Sequence, residues 1–305
     1  MDQHLIGLDW GISSFRAYLM GDSGQIIDTV TNQSGIMQVG RRSFEDVLVD
    51  SIDHWQIQYP EASIIASGMI GSRQGWFEAP YVSCPAGLAE LADNLSSIVT
   101  SRGKKIWFVP GVMRRAVDNT PDVMRGEETQ IFGSVQNDSD RCSFILPGTH
   151  SKWALVEKGR IVWFTTFITG ELFGVLCNHS ILGKLMEEDQ HDDAAFLKGL
   201  ECADHAVTAR QGVLNKLFSV RSLGLFGELR PTGLKSYLSG MLIGAEVTEA
   251  IWQIKHKTRI RLVGDSWLSG LYAKALEFYG RSSRVESENL TAHGLAMIAS
   301  RADLK

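Results

Sequence analysis

The sequence predicts an α/β protein built from two similar lobes. Strand-like and helix-like runs mix along the whole chain, which is typical of this class. A hairpin pattern also occurs twice, as GISSFRAYL from residue 11 and as GTHSKWALV from residue 148. We therefore expect an N-terminal lobe over 1–138 and a C-terminal lobe over 139–305, divided at the polar run QNDSDR and with a cleft between them.

The first lobe should open with three strands, because HLIGLDW, FRAYLM and QIIDTVTN are strand-like and separated by glycine turns. SFEDVLVDSIDHWQIQ has apolar residues at helical spacing, and Ser43 with Asp46 predicts a capped N-terminus. ASIIASG and KKIWFV predict further strands. PAGLAELADNLSSIV predicts a helix, and GEETQIFGSV predicts the start of another.

The second lobe repeats the three-strand opening in CSFILPGTHSKWALVEKGRIVWFTTF. Helices are expected between residues 170 and 219, followed by a short strand at VRSLGLF and a long helix over GLKSYLSGMLIGAEVTEAIWQI. RIRLVGDSWLSGLYAKALEFYG predicts a strand, a glycine turn and a helix. LTAHGLAMIAS predicts a closing helix.

Composition excludes several classes of protein. A net charge of −5 without a basic cluster gives no basis for a nucleic-acid partner. No apolar run approaches the roughly 18 residues of a membrane span. The four cysteines form no CxxC pair, which favours reduced thiols over zinc ligands or disulfides. We expect a cytoplasmic protein with small-molecule partners; a homodimer is left open.

Both hairpins have the chemistry of phosphate-binding loops. A glycine turn exposes backbone N–H groups, and neighbouring hydroxyl and cationic side chains suit phosphate oxygens. The predicted phosphate contacts are Gly11, Ser13, Ser14, Arg16, Gly148, Thr149, His150, Ser151 and Lys152. Asp9, at the end of the first strand, is the candidate ligand for Mg²⁺, directly or through water. The alternative is a carboxylate that caps the following turn.

Two further motifs suit nucleotide chemistry. LVGDSW predicts an adenosine-binding loop at Gly264, Asp265 and Ser266, although neither GxxxxGK[ST] nor GxGxxG occurs in the chain. MRGEETQ supplies adjacent acids, Glu127 and Glu128, of which one is expected to face the cleft as catalytic base. The alternative is that both merely favour a helix N-terminus.

The motifs resemble the superfamily of actin, sugar kinases and Hsp70-type ATPases, which implies ribonuclease H-like lobes. The chain is most similar to the 2-dehydro-3-deoxygalactonokinases in GLDWGISSFRAYL, ASGMIGSRQGW, MRGEETQIFG, LPGTHSKWALVEKGRI, FTTFITGELF and LSGMLIGAE. This resemblance implies ATP- and Mg²⁺-dependent phosphorylation of 2-dehydro-3-deoxy-D-galactonate to its 6-phosphate in galactonate breakdown. Leu146 stands where the superfamily often has an aspartate, so the metal role falls more heavily on Asp9.

A sugar-acid substrate needs a cation or a cluster of N–H donors for its carboxylate. The predicted contacts are Arg73 for the carboxylate, Ser72 and Gln74 for hydroxyls, Trp76 as an apolar wall, and Thr169 and Glu171 as further candidates. A surface salt bridge for Arg73 and a core position for Trp76 are the alternatives. Arg125 is expected to pair with one of the two acids or with a phosphate.

Three other functions remain open at this point. One is another 2-keto-3-deoxy sugar acid kinase, whose acceptor differs in stereochemistry. A polyphosphate or nucleotide phosphohydrolase of the same fold is the second. A non-enzymatic nucleotide-binding regulator is the third, and it normally carries a DNA-binding segment that this sequence does not show.

Overall fold

A computed structural model describes residues 4–135, 141–188, 190–209, 211–254 and 258–304. The chain forms two compact units. One contains Met1–Arg141, Val156–Phe164 and Ser287–Lys305, and the other contains Cys142–Leu155 and Thr165–Glu286. The predicted boundary between residues 138 and 139 lies outside the described residues. The last segment of the chain, which the sequence assigns to the second lobe, packs with the first unit.

The main sheet of the first unit has six strands in the order β3-β2-β1-β4-β8-β7. They are β1 (Leu5–Trp10), β2 (Phe15–Met20), β3 (Ile26–Asn32), β4 (Ser63–Ser67), β7 (Ser96–Val99) and β8 (Lys105–Phe108). β1 pairs antiparallel with β2 and parallel with β4. The register sets Asp9 opposite Arg16 on one side and Ser67 on the other, so these three residues share one edge of the sheet.

Short strands that the sequence did not reveal form a second sheet in the first unit, in the order β10-β9-β5. They are β5 (Tyr81–Ser83), β9 (Gly111–Arg115) and β10 (Pro121–Met124), and β6 (Ala86–Gly87) is a further two-residue strand. Strands of three to five residues carry too few alternations for the period-2 pattern to stand out.

Among its described residues, the first unit has four α-helices. They are α1 (Phe44–Gln58), α2 (Leu88–Asp93), α3 (Glu127–Ser134) and α10 (Leu290–Arg301). The predicted cap of α1 is confirmed, because Ser43 Oγ accepts from Asp46 N at 3.0 Å and Asp46 Oδ2 accepts from Ser43 N at 3.1 Å. α10 packs closely on α3: a Cβ at Gly133 would stand 1.9 Å from the Leu290 carbonyl oxygen.

The second unit contains β15, β14, β11 and parts of β12 and β13, in this order within one sheet, whereas residues 156–164 of β12 and β13 belong to the first unit. They are β11 (Cys142–Leu146), β12 (Ser151–Glu157), β13 (Arg160–Phe167), β14 (Arg259–Leu262) and β15 (Arg284–Val285). The helices are α4 (Thr169–His179), α5 (Asp193–Thr208), α6 (Val213–Lys216), α7 (Ser219–Leu225), α8 (Leu234–Ile251) and α9 (Ser266–Phe278). Within the described ranges, no helix is long and apolar enough to cross a membrane.

Two predicted elements are wrong. The helix expected over PAGLAELADNLSSIV ends at Asp93, and Ser96–Val99 forms β7, which pairs antiparallel with β8. The strand expected at VRSLGLF is the helix α7, in which Val220 is fully buried and Leu223 packs against the same core cluster. Val220 and Leu223 are three residues apart and so lie on one face of α7, which packing on the core stabilises. Pairing with β8 stabilises β7.

Candidate active site

The first hairpin is a tight turn between β1 and β2. Gly11 N donates to Ser14 O at 2.9 Å, and Ile36 N donates to Gly11 O at 3.0 Å. Beneath the turn, Trp10 is fully buried. Ser13 is exposed and Ser14 is half-buried. Hydrogen bonds within the turn and from Ile36 therefore fix its backbone, while its serines remain accessible to a ligand.

The second hairpin, between β11 and β12, is held by the start of α4. Glu171 N donates to Thr149 O at 3.0 Å, and Glu171 Oε2 lies 2.5 Å from His150 Nε2. A Cβ at Gly170 would stand 2.4 Å from the Gly148 carbonyl oxygen, so only glycine permits this approach. Glu171, a predicted substrate contact, thus lies against the second hairpin and forms a hydrogen bond with His150.

Ser151 differs from the exposed residues of its hairpin. It is fully buried, and its Oγ donates to Glu246 Oε1 at 2.7 Å. Trp153 Nε1 donates to the same oxygen at 2.8 Å, and the Tyr272 hydroxyl donates to Glu246 Oε2 at 2.7 Å. Burial raises the pKa of Glu246. The Ser151 hydroxyl, a predicted phosphate contact, is therefore engaged in a buried network that supports the hairpin from α8.

The cation and the first strand of this hairpin are also buried. Lys152 is 6% exposed, and its Nζ donates to Thr166 Oγ1 at 2.9 Å. Leu146 is buried at the end of β11. The strand therefore ends without a carboxylate, as the sequence indicates, which leaves Asp9 as the predicted metal ligand.

The predicted adenosine loop follows β14, the parallel neighbour of β11. Asp265 caps α9 by accepting from Leu268 N at 2.9 Å, and Gly264 has a φ of +135°. Gly264, Asp265 and Ser266 are exposed. The next two residues, Trp267 and Leu268, line a cavity instead.

This cavity lies wholly within the second unit and has a volume of about 350 Å³. Its walls include the second hairpin and residues of α4, α8 and α9. Its lining residues include Gly148, Thr169, Phe173, Ser236, Leu242 and Trp267. Apolar walls with a few polar groups are typical of small-molecule sites, and the size suits a nucleobase with its ribose. Thr169, a predicted substrate contact, lies in this cavity wall.

The two adjacent acids differ sharply in burial. Glu128 is 0% exposed, whereas Glu127 is half-buried at the first position of α3. Both Glu128 oxygens accept from Gly126 N, at 2.9 and 2.8 Å, and Glu127 Oε2 accepts from Arg125 N at 2.9 Å. Of the two predicted catalytic acids, Glu127 therefore keeps the exposure that proton transfer to a substrate requires.

Glu128 belongs to a buried chain of hydrogen bonds. Thr129 Oγ1 donates to Glu128 Oε1 at 3.1 Å and lies 2.8 Å from Ser67 Oγ. Burial is the main reason why the pKa of Glu128 rises from 4.5 to about 7, and repulsion by Glu127 adds to it. Its bonds from Gly126 N and the charge of Arg125 act in the opposite direction. Near neutral pH this group is therefore partly protonated.

Asp9 is half-buried at the end of β1, and Thr291 Oγ1 donates to its Oδ2 at 3.3 Å. Burial raises the pKa of Asp9, whereas the charge of Arg16 lowers it. The described residues contain no group of three or more His, Cys, Asp and Glu side chains suited to a metal ion. A single carboxylate is compatible with Mg²⁺ only where water and phosphate oxygens supply the other ligands, which is the usual arrangement for this ion.

The loop after β4 carries the predicted substrate contacts. Arg73 and Gln74 are exposed, and Ser72 is buried with its Oγ donating to Met69 O at 2.7 Å. Trp76 is half-buried, stacks on Phe44 with a centroid distance of 6.3 Å and packs against the core of the first unit. Its position therefore agrees with the core alternative.

Two residues central to this geometry were not selected from the sequence. Glu246 is a lone acid in the apolar helix pattern LSGMLIGAE, and such an isolated acid is a signal that was available. Thr291, whose hydroxyl donates to Asp9, is separated from it by 282 positions in the chain. No local pattern indicates that pairing.

Comparisons with known proteins identify the family of this chain. The model of the 2-keto-3-deoxy-galactonokinase family matches residues 9–298. The 2-dehydro-3-deoxygalactonokinase of Escherichia coli (strain K12) is 33% identical over 281 residues, which cover 92% of this chain and 91% of that protein. The chain belongs to the 2-keto-3-deoxy-galactonokinase family. The family predicted from the sequence motifs is thereby confirmed, and the chain is a kinase.

Further relatives support the family and the fold. A Rhizobium meliloti (strain 1021) protein named probable 2-dehydro-3-deoxygalactonokinase is 34% identical over 299 residues, covering 96% of this chain and 95% of that protein. The crystal structure of a Sinorhizobium meliloti protein, titled as a 2-dehydro-3-deoxygalactonokinase, has a TM-score of 0.87 at 32% identity and covers 98% of both chains. The activator of the Clostridium difficile 2-hydroxyisocaproyl-CoA dehydratase, solved with ADPNP, has a TM-score of 0.52 at 12% identity over 99% and 97% of the two chains, which shows the fold alone. The predicted α/β, actin-like ATPase fold is confirmed.

Proposed function

We propose that this kinase transfers the γ-phosphoryl group of ATP to the terminal hydroxyl of 2-dehydro-3-deoxy-D-galactonate and forms the 6-phosphate. The family match supports the reaction class and the acceptor. The observation that carries the chemistry is the acid pair at the start of α3, where Glu127 is accessible and Glu128 is buried behind it. The accessible carboxylate suits a base that accepts the hydroxyl proton.

The hairpins and the cavity supply groups suited to different parts of ATP. Backbone N–H groups and hydroxyls of the two hairpins suit phosphate oxygens, and the cavity beside Trp267 suits the adenosine. Asp9 would hold Mg²⁺ through one carboxylate, and the ion would supply charge neutralisation on the phosphates. Glu127 takes the proton, and Glu128 fixes the start of α3 through its two bonds to Gly126 N.

The test is turnover with ATP and Mg²⁺ on a panel of 3-deoxy-2-keto sugar acids that differ at one carbon. ADP release and phosphorylated product should appear together, with the galactonate-derived acid preferred. ADP release without any acceptor would identify a phosphohydrolase, and preference for another isomer would change the acceptor. Glu127→Gln should lower kcat by about 10²–10⁴-fold. Equal, mild losses in Glu127→Gln and Glu128→Gln would remove the carboxylate base from this helix.

A further inference from the structure

Arg125 is a buried arginine with unused hydrogen-bonding capacity. It lies immediately before Gly126, the N-cap residue of α3, and is 8% exposed. Nη2 donates to Ala79 O at 2.7 Å, and Cζ lies 4.3 Å from the centroid of the Tyr81 ring. Nε and Nη1 are shielded from solvent, and neither has a hydrogen-bond partner among the described residues.

Such an arrangement is costly for the folded protein. A buried donor without a partner loses its hydration and gains nothing in exchange, and the loss is larger for a charged group. Guanidinium groups are suited to carboxylates and phosphates, with which they form short, charge-assisted bonds. The charge of Arg125 acts on the buried Glu128 carboxyl, yet Nε and Nη1 form no hydrogen bond with it, and a carboxylate or phosphate from outside the chain would satisfy these two donors.

One unused nitrogen of Arg125 packs closely against a glycine. Gly71 faces Nη1, and a Cβ at this position would stand 3.2 Å from that atom. Gly71 belongs to the loop over 68–76 that carries the predicted substrate contacts. Arg73, the arginine that the sequence favours for the substrate carboxylate, is exposed. Water already solvates its charge, so a carboxylate gains less there than at a dehydrated guanidinium.

We propose that Arg125 binds the carboxylate of the sugar-acid acceptor and thereby selects acids over neutral sugars. The proposal rests on the proposed function, because it assigns one contact of the same acceptor. Arg125 N also donates to Glu127 Oε2 at 2.9 Å, so one short segment carries both the cation and the predicted base. Since the two nitrogens are shielded, the loop over 68–76 has to yield locally when the acid enters.

The test compares 2-dehydro-3-deoxy-D-galactonate with its neutral methyl ester as acceptors. Arg125→Met should lower kcat/KM for the acid about 100-fold, mainly through KM, and should change kcat/KM for the ester only a few-fold. A 100-fold change corresponds to about 2.7 kcal/mol, a reasonable value for charge-assisted hydrogen bonds. The acid preference of the enzyme should therefore nearly disappear in this variant.

Arg114→Met is the matched control. Arg114 Nε also donates to a backbone carbonyl, that of Phe164, and its guanidinium also lies over an aromatic ring, at 5.1 Å from the Trp163 centroid. This variant loses comparable structural contacts, and its acid preference should equal that of the wild type. Melting temperatures of both variants report the structural part of each effect.

Three results would overturn the assignment. An unchanged acid preference in Arg125→Met would make the guanidinium a structural support, and loss of preference in Arg73→Met instead would return the carboxylate to Arg73. If Arg125→Met does not fold, Arg125→Lys takes its place, and its acid preference should fall at least about tenfold. An unchanged acid preference in Arg125→Lys would be the third refuting result. Wild-type protein that phosphorylates neither compound would refute the proposed function rather than this contact.

Discussion

The raised pKa of Glu128 leads to a specific prediction for the variant Glu128→Gln. Glutamine has the shape of a protonated glutamate and carries no charge, so it imitates the form that burial favours. Its single carbonyl oxygen can still accept the bond from Gly126 N that Glu128 accepts at 2.9 and 2.8 Å. The variant therefore removes the charge while keeping the principal contact at the start of α3.

The size of the effect follows from linkage. The folded-state pKa of about 7 lies above the ordinary value of 4.5, so the folded protein binds this proton more tightly than the unfolded chain. The stabilisation is complete below pH 4.5 and is lost as pH rises to about 7. A pKa difference of about 2.5 corresponds to about 3 kcal/mol. At pH 8 the variant should therefore be about 3 kcal/mol more stable than the wild type, and at pH 4.5 the two should be equal.

Urea unfolding of both proteins at a series of pH values between 4.5 and 8 measures the difference directly. For a chain of this length, about 3 kcal/mol corresponds to about 5 °C in melting temperature. Glu127→Gln is the control, because it removes the charge that helps to raise the pKa of Glu128 and should shrink the wild-type pH dependence. A constant stability difference between wild type and Glu128→Gln across this pH range would refute the assignment of the raised pKa to Glu128.

The remaining predictions concern the nucleotide and the metal. Asp9→Asn should lower kcat at least about 100-fold with little change in melting temperature, because the carboxylate is predicted to hold Mg²⁺; near-normal turnover would remove that role. Trp267→Ala should raise the KM for ATP about tenfold and leave the KM for the keto acid unchanged, since it shortens a wall of the cavity; the reverse ranking would contradict the adenosine assignment. Glu246→Ala should destabilise the second unit by about 3 kcal/mol, because Trp153 Nε1 and Tyr272 OH lose their acceptor. Thermal melts with and without ATP measure this loss of stability, and an unchanged melting temperature would contradict the role of Glu246 in the network.

Most regular elements were predictable because their signals are local. The first hairpin, the capped helix α1 and the long helix α8 each have a repeating apolar pattern or a capping pair within a few residues. The family was also predictable, since its motifs are short runs that can be read directly. The strands β7, β9 and β10 were not, because each is short and acquires its structure from the neighbour with which it pairs.

By itself, the sequence determined the α/β class, the family and the residue types available for phosphate and proton chemistry. Only the tertiary structure decided which of two adjacent glutamates is accessible, since Glu127 and Glu128 have the same side chain and differ in burial alone. It also decided that Ser151 turns inward to Glu246 and that Arg125, rather than Arg73, is dehydrated. Burial and long-range hydrogen bonds depend on residues distant in the chain, and no local pattern specifies them.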